Sequence, residues 1–252
     1  MTRNRSIIAL VAIVAIVAGG YLAYDNVLRG DAVAPLALPS AAPSDSATTA
    51  PSAATATEAA SAAPSTDTAD GAVAGTWTIT AGSEAGYRVR EQLANLPAES
   101  DAVGRTTDLT GTITVVEAVD AAQLTAGEIA IDTTTLSSDE DRRDNRLRTE
   151  GLQTDQYPTA TFTLTQPVDI PAAAVAGTAT DVTLVGDLTL HGVTKSVEIP
   201  AQAVLTDGQI QVAGSLTFPL ADFDITAPNV GGFILSIADQ GALEFVVVFA
   251  KA

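Results

Sequence analysis

With 252 residues, a net charge of −18 and no cysteine, the chain excludes several classes of protein at once. Disulfides, thiol catalysis and a lipidated-cysteine anchor are ruled out, and a single histidine rules out a multi-histidine zinc site. An acidic surplus of this size also opposes binding to nucleic acid, because neutralising phosphates takes clustered Lys and Arg.

Residues 1–6 carry Arg3 and Arg5, and an uncharged run follows from Ile7 to Tyr24. Eighteen helical residues at about 1.5 Å each span about 27 Å, near the roughly 30 Å hydrocarbon core of a bilayer. The spacing predicts a transmembrane anchor over residues 7–24. The flanking arginines put the N-terminus in the cytoplasm and the rest of the chain outside the cell membrane. A cleaved signal peptide is the competing reading. It fits less well, because the apolar run continues past Ala18-Gly19-Gly20.

Residues 25–74 are the expected linker. From Asp31 to Ala74 the chain is almost entirely Ala, Ser, Thr and Pro with scattered acidic residues, too little bulky apolar surface to offset the entropy of ordering. As a disordered coil it would reach roughly 35–40 Å.

Residues 75–252 read as one domain of short strands, with a period of two throughout. The expected strands are Trp77–Thr80, Tyr87–Arg90, Leu109–Val116, Glu128–Asp132, Thr159–Thr165, Thr180–Leu190, Val193–Val204, Gln209–Phe218, Gly232–Ile237 and Ala242–Ala250. In Gln209–Phe218, Ile210, Val212, Leu216 and Phe218 share one face while Gln209, Gln211, Ser215 and Thr217 share the other. His191-Gly192 and Asp207-Gly208 are two-residue connections suited to primed hairpin turns. One wet face and one dry face predict an all-β antiparallel sheet around a single interior, while the last strand, Ala242–Ala250, is apolar on both faces, as expected of a strand between the interior and a covering layer. One short helix interrupts it, with an N-cap near Ser138, acidic residues in its first turn and Gly151 as terminator. That helix concentrates Arg142, Arg143, Arg146 and Arg148 on an acidic body.

Three stretches then become recognisable: Arg143-Asp144-Asn145-Arg146-Leu147, Tyr157-Pro158-Thr159-Ala160-Thr161-Phe162, and Gly186-Asp187-Leu188-Thr189-Leu190-His191-Gly192-Val193-Thr194-Lys195. Together and in this order they resemble the YceI-like family of polyisoprenoid-binding proteins, from about Trp77 to Phe249. The resemblance implies a lipocalin-like antiparallel barrel of about eight strands, with a helix near one end. It also implies an interior tunnel holding an isoprenoid lipid such as a quinone or a polyprenyl phosphate. Two departures stand out: Ser196 where the family often has Pro, and a longer insertion over Leu93–Thr107 that would reshape one barrel mouth.

By parity and by position in these motifs, Phe162, Leu164, Leu184, Leu188, Leu216, Phe218, Phe233 and Phe245 are the expected tunnel wall. Periodicity alone does not separate a hollow barrel from one filled by side chains, and a filled surface-interaction domain is the alternative. Arg142 and Arg146, one turn apart, are the candidate head-group ligands; the competing reading is a solvated face pairing with Asp139, Glu140 and Asp144. His191 is the only neutral-pH base, and no nucleophile motif accompanies it, so catalysis is not expected. Asp222, Asp224 and Asp239 match no calcium loop. The sequence therefore predicts a lipid-binding barrel tethered to the cell membrane, without metal or cofactor.

Overall fold

In the computed structural model, residues 33–38, 73–94, 99–119, 121–227 and 234–252 are described. They form eleven strands: β1 (Gly75–Ile79), β2 (Glu84–Leu93), β3 (Ser100–Thr106), β4 (Leu109–Ala118), β5 (Ala121–Asp132), β6 (Thr159–Leu164), β7 (Val168–Pro171), β8 (Thr180–Leu190), β9 (Val193–Thr206), β10 (Gln209–Pro219) and β11 (Ile234–Lys251). Helix α1 (Asp141–Thr149) lies between β5 and β6, and a single helical turn, α2 (Ala172–Val175), follows β7.

All pairings are antiparallel, and the sheet closes on itself. The last residues of β11 pair with β1 and its first two-thirds pair with β2. β1 and β2 therefore act as one stave bent at Thr80–Ser83. Ser83 holds that bend: its hydroxyl donates to the Thr80 carbonyl at 2.8 Å and accepts the Val248 amide at 2.9 Å. β3 and β4 form a second bent stave, pairing with β2 and β1 respectively. With β5, β6, β8, β9, β10 and β11 these make an eight-stave closed barrel, which leaves no long open edge.

The interior is set by the alternation expected from sequence. Trp77, Ile113, Val115, Ile199, Ile210, Phe245, Val247 and Phe249 are buried in one continuous core. Both predicted hairpins carry left-handed residues at both central positions. His191 and Gly192 have φ of 53° and 75°, and Asp207 and Gly208 have 51° and 71°, as a type I′ turn requires.

Several elements differ from expectation. The Leu93–Thr107 insertion contains strand β3. β5 begins at Ala121 rather than Glu128, because its first half is Ala-rich and shows little alternation. β7 and α2 carry no periodic signal at all. The described part of the expected Gly232–Ile237 strand, from Ile234, and Ala242–Ala250 belong to one strand, β11, whose pairing with β2 shifts register between Ile234 and Ser236 and again between Ile237 and Gly241. The helix starts at Asp141 with Glu140 as N-cap and no side-chain cap bond. Instead Asp144 folds back, accepting from the Ser138 amide at 3.0 Å and from its hydroxyl at 2.6 Å.

The expected anchor at residues 7–24 lies outside the described residues, as does most of the 25–74 linker. Among the described residues no helix is long and apolar enough to cross a membrane. Within residues 33–38, the Val33 carbonyl accepts a 2.8 Å hydrogen bond from Arg88 on the barrel wall.

Candidate ligand-binding chamber

Helix α1 lies over one end of the barrel and roofs a cavity of about 440 Å³ that opens to the outside. Its walls come from the inward residues of β2 (Tyr87, Val89, Glu91), from Ala102 of β3, and from Leu190, Phe218 and Leu243. Arg142, Arg143, Arg146 and Leu147 of α1 form the roof. The lining is thus apolar with a few converging polar groups, the usual composition of a small-molecule site.

The roof is fastened by charge. Arg143 donates to Glu91 at 2.9 Å and also pairs with Asp139 one helical turn before it. Burial works against the Arg143 cation, but the Asp139 and Glu91 carboxylates outweigh it and hold its pKa above the usual value. Tyr87 is pushed up to about 12, chiefly by burial and against the pull of Arg143, so its hydroxyl stays protonated in the wall. Among the described residues, Arg142 and Arg146 form no ion pair or side-chain hydrogen bond. The carboxylates expected to satisfy them are taken elsewhere: Asp139 by Arg143 and Asp144 by Ser138.

A second ion network lies on the outer face of the same wall. Glu244 of β11, 4% exposed, accepts from Arg88 at 2.7 Å and Arg105 at 2.5 Å, and Arg88 also reaches Asp101 at 3.0 Å. Burial alone would raise the Glu244 carboxyl, yet the two guanidiniums hold it below the ordinary range.

Below the chamber the barrel narrows. Phe162, Leu164, Leu184, Leu188 and Phe245 surround a cavity of about 70 Å³, and Leu184 also borders a third of about 40 Å³ near α2. Of the other expected wall residues, Phe218 faces the main chamber. Leu216 packs against both core clusters and borders none of these three cavities. Phe233 lies outside the described residues.

Sequence reasoning did not single out Tyr87, Glu91, Arg143, Ala102 or Leu243 as site residues. Tyr87, Glu91 and Leu243 were findable, since parity puts each on the inward face of its strand. His191 borders none of the three cavities. Its Nδ1–H donates to the Phe223 carbonyl at 3.0 Å, and its ring stands edge-on to Tyr157 with centroids 4.5 Å apart.

The YceI-like domain pattern matches residues 77–249. A UPF0312 protein of Vibrio parahaemolyticus is 34% identical over 113 residues, which is 42% of this chain and 56% of the relative. One from Shewanella baltica is 35% identical over 133 residues, 49% of this chain and 63% of its own. The match thus spans somewhat more than half the length of these curated relatives. A polyisoprenoid-binding domain from Saccharophagus degradans superimposes with a TM-score of 0.54 at 20% identity, covering 71% of this chain and 99% of that domain. Burkholderia cenocepacia BcnA gives 0.50 at 17% identity, covering 68% of this chain and 98% of its own. At these identities the likeness is one of fold. Because the domain pattern runs through the barrel from Trp77 to Phe249, the chain belongs to the YceI-like domain family.

Proposed function

We propose that the chain is a binding protein for an isoprenoid lipid, held in the chamber under α1 with its head group at the arginine roof. The observation that carries this reading is the pairing of an apolar 440 Å³ chamber with Arg142 and Arg146 at its mouth, neither engaged by a carboxylate among the described residues. A guanidinium with free donors suits a phosphate or a quinone carbonyl. The polyisoprenoid-binding domain of Saccharophagus degradans, which shares the fold, supports the same ligand class.

The lipid tail enters from a bilayer, where it is already out of water, so its burial in a dry barrel gains little. Selectivity then comes from chamber shape and head group. We place the barrel outside the cell, tethered to the cytoplasmic membrane by residues 7–24, where it sequesters or carries the lipid. The apolar run flanked by Arg3 and Arg5 supports that placement. The role is binding rather than catalysis: His191 is tied to a backbone carbonyl away from the cavities.

The test is retention of a radiolabelled prenyl phosphate by the full chain through gel filtration in detergent. Co-elution at near-stoichiometric amount is expected. Complete loss of label from folded protein rejects the reading in favour of a filled surface-interaction domain, which the narrow lower barrel resembles.

A further inference from the structure

The hollow of this barrel is unevenly distributed. The chamber and the 70 Å³ cavity meet at Ile131 and Leu243, which border both. The chamber is about six times as large as the 70 Å³ cavity and about eleven times as large as the 40 Å³ one.

The narrowing is built into the wall. Phe162 of β6 leans over Gly186 of β8, where a Cβ would come within 2.5 Å of its ring. Phe245 of β11 lies over its cross-strand partner Gly214, where a Cβ would come within 2.6 Å. Each ring fills the hollow that its glycine leaves, so swinging it away would open a void against the wall and forfeit close contacts. The two phenyl rings therefore stay in the lumen beneath Ile131 and Leu243, as a floor.

We propose that this floor makes the protein selective for short-tailed isoprenoids, whose tails end above Phe162 and Phe245 and lie wholly in the upper chamber. Phe162, Phe245, Ile131 and Leu243 are the residues that determine tail length. The inference rests on the lipid-binding reading above and narrows it to a ligand class.

The test is competition on the full chain among prenyl phosphates with tails of 10, 15, 20 and 40 or more carbons, presented in one detergent and read by native mass spectrometry. The 10- and 15-carbon compounds are expected to occupy the protein at least tenfold more than the longest. In Phe162→Ala/Phe245→Ala that ratio should fall by tenfold or more; comparing variant with parent cancels differences in detergent partitioning. Should the double variant not fold, Phe245→Leu and the length series on the unmodified chain still decide the matter. Equal or tighter binding of the longest tail by the unmodified chain overturns the length limit and leaves lipid binding intact. Binding at no length overturns both.

Discussion

Glu91 on β2 and Arg143 on α1 form an ion pair at 2.9 Å inside the chamber, joining the barrel wall to its roof. Glu91 is 4% exposed, so removing either partner strands a charge in a poorly hydrated place. Asp139 still supports Arg143 if Glu91 is lost, which moderates the penalty. Glu91→Ala should cost about 1–3 kcal/mol, seen as a lower urea midpoint at unchanged slope. An unaltered midpoint would mean that the pair does not hold the roof.

The outer network predicts acid sensitivity of defined sign. Glu244 has a depressed pKa in the folded barrel, so its contribution is present above the unfolded carboxylate value of about 4.3 and is lost as pH falls through the folded one. Glu244→Gln should lower stability at pH 7 and flatten its decline below pH 4.5, as measured by urea unfolding between pH 3 and 7. A parallel acid-side decline in both proteins would contradict the assignment.

Arg142 and Arg146 have separable roles in binding and stability. Arg142→Gln/Arg146→Gln should shift folding stability by no more than about 0.5 kcal/mol, since neither side chain is paired among the described residues. The same variant should lose about tenfold or more in affinity for a prenyl phosphate while retaining a prenyl alcohol. Equal retention of both ligands would remove the head-group role.

The chamber can be filled from its wall. Ala102 of β3 is 6% exposed and borders the cavity, so Ala102→Phe places a ring where the tail would lie. Ligand retention should fall at least tenfold with a melting temperature within a few degrees of the parent, because the ring enters empty space. Undiminished retention would place the ligand elsewhere.

The two type I′ hairpins should respond differently to the same substitution. Gly192→Ala combines a left-handed backbone with a Cβ 2.7 Å from the Tyr157 ring, whereas a Cβ at Gly208 meets nothing within 4 Å. Gly208→Ala should cost about 1 kcal/mol from backbone strain alone, and Gly192→Ala about 1–2 kcal/mol more. Thermal unfolding of both variants checks the order.

Much of this architecture was legible in the sequence because water on one face imposes a period of two. Ile210–Phe218 and Val182–Leu190 place their inward sides without ambiguity, and the positive φ of Gly192 and Gly208 was implied by turn length. β3 was hidden because Ser100–Thr106 is short and mixed, and takes its place by pairing with β2 across the insertion. The site was legible only in part. Arg142 and Arg146 stood out as a charge cluster, and Phe162 and Phe245 by parity, yet no sequence rule weighs 440 Å³ at one end against 70 Å³ in the middle. That balance depends on which rings settle over Gly186 and Gly214, a matter of packing between strands distant in sequence. The Glu91–Arg143 bond was equally hidden, since it joins elements separated by three strands.

The most direct test of the central claim is native mass spectrometry of full-length protein purified from its own envelope in a mild detergent. A reproducible added mass equal to one short-tailed isoprenoid is expected, lost on organic extraction and diminished in Ala102→Phe. A bare polypeptide mass, unchanged after incubation with prenyl phosphates and quinones, would contradict it.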